Sequence, residues 1–404
     1  MPRPRSRRGL LLAALAVALI AAGAAAGAVL LARDDGGDAG AGGEAMPGVT
    51  DAHPVAGTFE PDDLALADCE GSDSRCIEQA FGNLAYAEGP ERAIAEFDAA
   101  MQADPSVESN CHRIAHTIGS AALARFEGDV GEAFAAGSAS CWSGYYHGIL
   151  ERAFADLESL DQAGPVAREL CKGERIEETQ FLLYQCVHGL GHGLMIHSGY
   201  DLPWSLGICD ELADQWSQSS CTGGVFMENI ASSYDVRSEW IRDDDPVYPC
   251  EDVADRHKYY CYLMVTSRVN ELNGFDWADT ASVCAGVEAD WVAICFESYG
   301  RDASGSTRQD AAEIVRICGL AGRPAYEESC LYGAARDITS NDAGGERAAV
   351  LCARADARHR SRCYAGIGTI VANLFPTEEE QRGACVSTVP RRFLAACLGG
   401  AGLA

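Results

Sequence analysis

The chain has 404 residues, enough for two or three average domains or one elongated repeat array. Its 48% hydrophobic and 23% charged residues are the composition of a folded protein and exclude disorder throughout. Five of its 31 basic residues (Arg3, Arg5, Arg7, Arg8, Arg33) precede position 34, leaving 26 against 60 acidic residues and a net charge of about −34 beyond it. Such a surface repels phosphate backbones, which excludes nucleic acid, and attracts metal ions and basic proteins or peptides.

In chain order, residues 1–8 form a basic segment expected to stay in the cytoplasm. Residues 9–32 are 24 apolar positions, long enough for one transmembrane helix that acts as a signal-anchor. Ala26-Gly27-Ala28 offers the alternative of a cleaved signal peptide. The expectation is a single-pass protein of the cell membrane with its C-terminal part outside the cytoplasm, or a secreted protein if the segment is removed. Residues 33–61, rich in Gly, Ala, Asp and Glu, read as a flexible acidic linker.

From position 62 to the end the cysteines set the pattern. Ten of them (Cys76, Cys111, Cys141, Cys186, Cys221, Cys261, Cys295, Cys330, Cys363, Cys397) follow one another at intervals of 35, 30, 45, 35, 40, 34, 35, 33 and 34 residues. A period near 34 marks a repeat of helical hairpins. The other eight precede a member of the series, most by 11 or 12 residues, across polar segments such as EDVADRHKYY. A helix ending near the first cysteine, a tight turn and a helix starting before the second would place both within disulfide reach. The spacing therefore pairs Cys69–Cys76, Cys171–Cys186, Cys209–Cys221, Cys250–Cys261, Cys284–Cys295, Cys318–Cys330, Cys352–Cys363 and Cys385–Cys397, leaving Cys111–Cys141 for each other. A glycine recurs three places after the cysteine (Gly144, Gly189, Gly224, Gly333, Gly366, Gly400), where a missing side chain lets a neighbouring helix approach.

This architecture resembles the disulfide-bridged Sel1-like and tetratricopeptide-like solenoids over nearly the whole part beyond the linker. The tryptophan, leucine-glycine and proline pattern of tetratricopeptide units is absent, and the resemblance carries over no functional residue. The expected fold is all-α: a right-handed α-solenoid of about ten hairpins stapled by disulfides, behind one transmembrane helix.

Six of the nine histidines fall between positions 112 and 197. His116 lies five residues past its repeat cysteine, and His147 and His192 six past theirs. His112/His116 and His188/His192 are four apart, so each pair shares one helix face. These five, His112, His116, His147, His188 and His192, form a candidate metal site able to hold one or two ions of zinc, copper or iron. Glu151 and Glu228 are candidate general bases for a metal-bound water, the chemistry of a hydrolase or an oxidase. His197 is a weaker candidate ligand, and Met195 and Met227 would favour copper if they point inward. Gly148 and Gly193 would leave space beside the ligands. With every cysteine paired, thiolate ligation is not expected. His257 and His359 read as solvated turn residues, and the units beyond about position 240 as lacking a comparable polar cluster. Competing with a metalloenzyme are an acidic protein-interaction scaffold and a metal carrier or buffer.

Overall fold

The computed structural model describes residues 59–403 apart from 70–72, 139, 156, 158, 234–235 and 343. The expected basic segment, the transmembrane span at 9–32 and most of the linker lie outside the described residues. Among the described residues no helix is long and apolar enough to cross a membrane. They contain 21 α-helices and no strand, so the fold is all-α.

Each cysteine of the 34-residue series sits in a helix: α1 (Ser74–Glu88), α2 (Cys111–Arg125), α3 (Ser140–Ala155), α4 (Gln180–His197), α5 (Gln215–Ile230), α6 (Asp255–Met264), α7 (Val292–Ser306), α8 (Pro324–Asp342), α9 (Arg360–Leu374) and α10 (Leu394–Gly400). Shorter helices precede most of them, such as Leu202–Asp210 before α5 and Ala311–Cys318 before α8. Aspartates begin several of these helices. Asp73, Asp129, Asp201, Asp214, Asp276 and Asp310 each accept a hydrogen bond from a first-turn amide. Part of the acid excess is thus capping chemistry, favourable at the positive end of the helix dipole.

Consecutive members of the cysteine-bearing row pack on one another from α1 to α10, and α4 also meets α9. The row therefore curls until its fourth and ninth helices touch. All nine expected disulfides form, with Cα–Cα distances of 5.3–5.9 Å. Five of the six recurrent glycines mark places where backbone meets backbone, and the sixth, Gly189, meets the Leu150 side chain. A Cβ on Gly224 of α5 would overlap the carbonyl of His188 in α4, and one on Gly148 of α3 the backbone of His116 in α2. Gly148 thus makes room for a helix, and the expectation that it leaves space beside the ligands is corrected. Gly193 likewise faces the Phe154 ring.

Three departures from the sequence reading have physical causes. Phe59, assigned to the linker, is buried, and Arg152 donates to its carbonyl at 2.6 Å. An aromatic ring near the edge of an acidic stretch finds core to cover. The segment before Cys250 is not helical; residues 236–254, with three consecutive aspartates and two prolines, run as loop and turns. His257 and His359 are buried, 4% and 3% exposed, beside Asp210 and Glu327. The disulfide-linked turns are tight enough to fold these rings against the preceding unit.

Candidate metal centre

Residues two and six past a repeat cysteine are four apart and share a helix face. In the curled row that face points inward. Helix α3 lies between α2 and α4, so His147 is flanked by His112 and His116 on one side and by His188 and His192 on the other. The His147 ring centre is 5.4 Å from those of both His112 and His116 and 5.7 Å from that of His188, and it stacks on His192 at 4.0 Å. His116, His147 and His192 are at most 1% exposed and His188 6%; His112 is partly buried. One ligand atom each from His112, His116 and His147 lies within 4.8 Å of the others, and the same holds for His147, His188 and His192. Either trio could hold a metal ion.

The outer four rings are oriented through Nδ1. His112 Nδ1 donates to the Cys141 carbonyl at 3.0 Å, and His188 Nδ1 to the Ser220 carbonyl at 3.2 Å. A carbonyl only accepts, so the proton of each neutral ring is on Nδ1 and Nε2 carries a lone pair. The other two rings meet carboxylates. His116 Nδ1 contacts Glu151, and His192 Nδ1 donates to Glu228 Oε2 at 2.8 Å. Glu228 also accepts from the Tyr200 hydroxyl (2.8 Å), the Ser233 amide (2.9 Å) and the Ser233 hydroxyl (2.7 Å). Four anchored rings thus face a fifth that is not anchored. Neither nitrogen of His147 has a hydrogen-bond partner among the described residues, and neither does Nε2 of His192.

The Nε2 atoms of His112 and His116 are 3.1 Å apart. Two nitrogens bound to one ion at about 2.0–2.1 Å stand roughly 3–3.5 Å from each other, so this spacing suits a shared cation. Burial holds His112 and His188 down to about 3, and drives His147 well below its ordinary value, with the neighbouring rings adding to the shift. These rings are neutral at pH 7 and available as ligands. Burial also opposes a charge on His116, but Glu151 overcomes it and the ring stands above its ordinary value. Burial pushes Glu228 upward, yet the donors from His192 and Ser233 outweigh it and hold the carboxyl at about 2.

The remaining candidates lie elsewhere. His197 packs near Phe154, with ring centres 6.1 Å apart, outside both trios. Met195 is buried in the core, whereas Met227 is partly buried and lines a cavity together with His147 and His188. Sequence reasoning missed Tyr200 and Ser233, which donate to Glu228 from the turns after α4 and α5, and Ser232, whose hydroxyl meets that of Tyr200.

It also missed a second polar cluster beyond position 240. Arg301, Asp302 and Asp337 cluster with Thr266 and Ser267, and Arg336 pairs with Glu297 and Tyr259 on the wall of the same cavity. The available signal was register. Glu297 is two past its repeat cysteine, as His188 is, and Arg301 and Arg336 are six past theirs, as His147 and His192 are. No family model, no curated protein and no solved structure matches the chain.

Proposed function

We propose that this chain is an exported, membrane-tethered helical repeat protein, a right-handed α-solenoid of about ten hairpins, whose histidine cluster holds two transition-metal ions of zinc, copper or iron. His112 and His116 bind one ion through Nε2, His188 and His192 bind the other, and His147 offers one ring nitrogen to each. A single observation carries this reading: four imidazoles, all but His112 buried, are turned by their Nδ1 partners toward a fifth whose nitrogens have no hydrogen-bond partner among the described residues. Buried polar atoms without partners are costly, and a bound cation satisfies them together. Carboxylate and carbonyl groups behind ligating imidazoles are the usual outer support of metal sites. Glu151 and Glu228 take that positioning role in this reading, in place of the general-base role suggested by sequence. Nine disulfides favour folding outside the reducing cytosol. The acidic exterior favours cations and basic peptides over anionic partners.

Metal analysis of the full chain purified without an affinity tag tests the proposal. About two equivalents are expected in the parent chain and almost none in the double variant His116→Ala/His192→Ala. Substoichiometric metal unaffected by that change would reject the site. Turnover on hydrolase or oxidase substrates would make it an enzyme, and retained metal without turnover a carrier.

A further inference from the structure

The shorter helices that precede the repeat cysteines pack on one another along the row, as Ala311–Cys318 does on Glu346–Arg354. The helix Leu202–Asp210 meets such a neighbour, Ala163–Leu170, on one side. On the other side the next unit has the loop 236–254 where a helix would stand. What remains is an apolar groove of about 280 Å³ between that helix, the loop and the start of α6, with Leu202, Leu206, Trp240, Tyr248 and Val253 in its walls. The groove is open to solvent: Pro203 and Ala254 in its lining are exposed, and a Cβ on Gly207 would meet no other atom.

Its rim is acidic. Residues 239–255 carry seven acidic side chains, all exposed, against Arg242 alone. Of the charged residues in the lining, Arg256 donates through Nε and Nη2 to Asp210, which leaves the exposed Asp252 without a countercharge in the groove. Burial holds His257 below its ordinary value, so it adds no positive charge at pH 7. The Arg242 guanidinium lies 3.6 Å over the Tyr248 ring, so the aromatic face at this rim already accommodates a cation.

We propose that this groove docks a basic segment of a partner protein, with an apolar side chain seated among Leu206, Trp240 and Tyr248 and its lysine or arginine neighbours held by Asp252 and the acidic loop. Two properties select that occupant. The apolar surface left uncovered by the missing helix gains from burial. The acid excess around it draws in basic chains and repels acidic ones. None of the five clustered histidines lines the groove, so the inference goes beyond the metal reading and does not depend on it.

Fluorescence anisotropy of labelled hexapeptides titrated with the full chain tests it. The probes are KKXXKK, with X leucine, phenylalanine or tryptophan, beside EEXXEE and KKSSKK as counterparts that lack the basic or the apolar half. At least one KKXXKK peptide is expected to bind, with both counterparts tenfold or more weaker. Gly207→Trp fills the groove from an open helix position and is expected to weaken binding tenfold or more without changing the melting temperature. Asp252→Lys reverses an exposed rim charge and is expected to weaken binding about threefold or more, with the difference shrinking as salt is added. The proposal is overturned if no KKXXKK peptide binds, if either counterpart binds as well, or if either variant binds like the parent chain. Should Gly207→Trp lower the melting temperature, Asp252→Lys decides.

Discussion

His147 differs from the other four histidines in what surrounds its nitrogens. His112, His116, His188 and His192 each have an oxygen behind Nδ1, whereas neither nitrogen of His147 has a hydrogen-bond partner among the described residues. Substituting an outer ring therefore affects one trio and substituting His147 affects both. His112→Ala and His188→Ala are each expected to lower bound metal by about one equivalent, and His147→Ala by more than one, read by elemental analysis. Equal losses from all three variants would show that His147 is not shared.

The same burial predicts how metal-free protein responds to acid. His112, His147 and His188 have depressed folded-state values, so the unfolded chain binds more protons than the folded one below about pH 6.5. Their contribution is complete above that value and is lost as pH falls below it, by up to about 1.4 kcal/mol per pH unit for each ring. His116, raised by Glu151, works in the opposite direction: its contribution is present below the unfolded value and lost as pH rises through the folded one. Below about pH 6.5 the His116 contribution is already complete and constant, so denaturant midpoints of chelated protein should fall between about pH 6.5 and about pH 4. A midpoint that held steady would contradict the neutral cluster. The candidate ligands were legible in sequence because histidine is rare and four-residue spacing is visible. Their supporting groups were not, because carbonyls of Cys141 and Ser220 carry no side-chain signature and Ser233 reaches Glu228 from an irregular loop.

At the scale of the helix, close approach is what brings the imidazoles together. Gly224 allows α5 to lie against the backbone of His188, and the same contact delivers Glu228 to His192. Gly224→Ala should force the two helices apart and destabilise the protein by about 1–3 kcal/mol, the usual cost of overpacking. Gly207, on the helix Leu202–Asp210, faces open space. Gly207→Ala should be neutral or stabilising by up to about 1 kcal/mol through helix propensity. Denaturant titration of the pair separates the packing effect from the intrinsic one, and similar values would remove the close-approach argument. The periodic glycines were visible in the sequence. The reason for Gly148 was not, because only the packed pair shows that its neighbour is backbone of His116 and not a ligand.

Over the whole molecule the acid excess is too large to be absorbed by capping aspartates and surface pairs. A net charge of −29 on the full chain opposes compaction. Salt shortens the screening length from roughly 10 Å at about 0.1 M to roughly 3 Å at about 1 M. The melting temperature should therefore rise by several degrees across that range in scanning calorimetry, and a fall would mean that stabilising ion pairs outweigh the repulsion. Sequence alone determined the repeat, the helical class and the disulfide pairs, because all but Cys111–Cys141, which was left by elimination, rest on short-range spacing: a period, a cap, a staple across one turn. Only the tertiary structure decided that the row curls until α4 meets α9. That curl places residues of one register on a common inner wall although more than a hundred positions separate them. His147 and Arg336 line the same cavity for this reason, and no local pattern encodes how far successive helices rotate against each other.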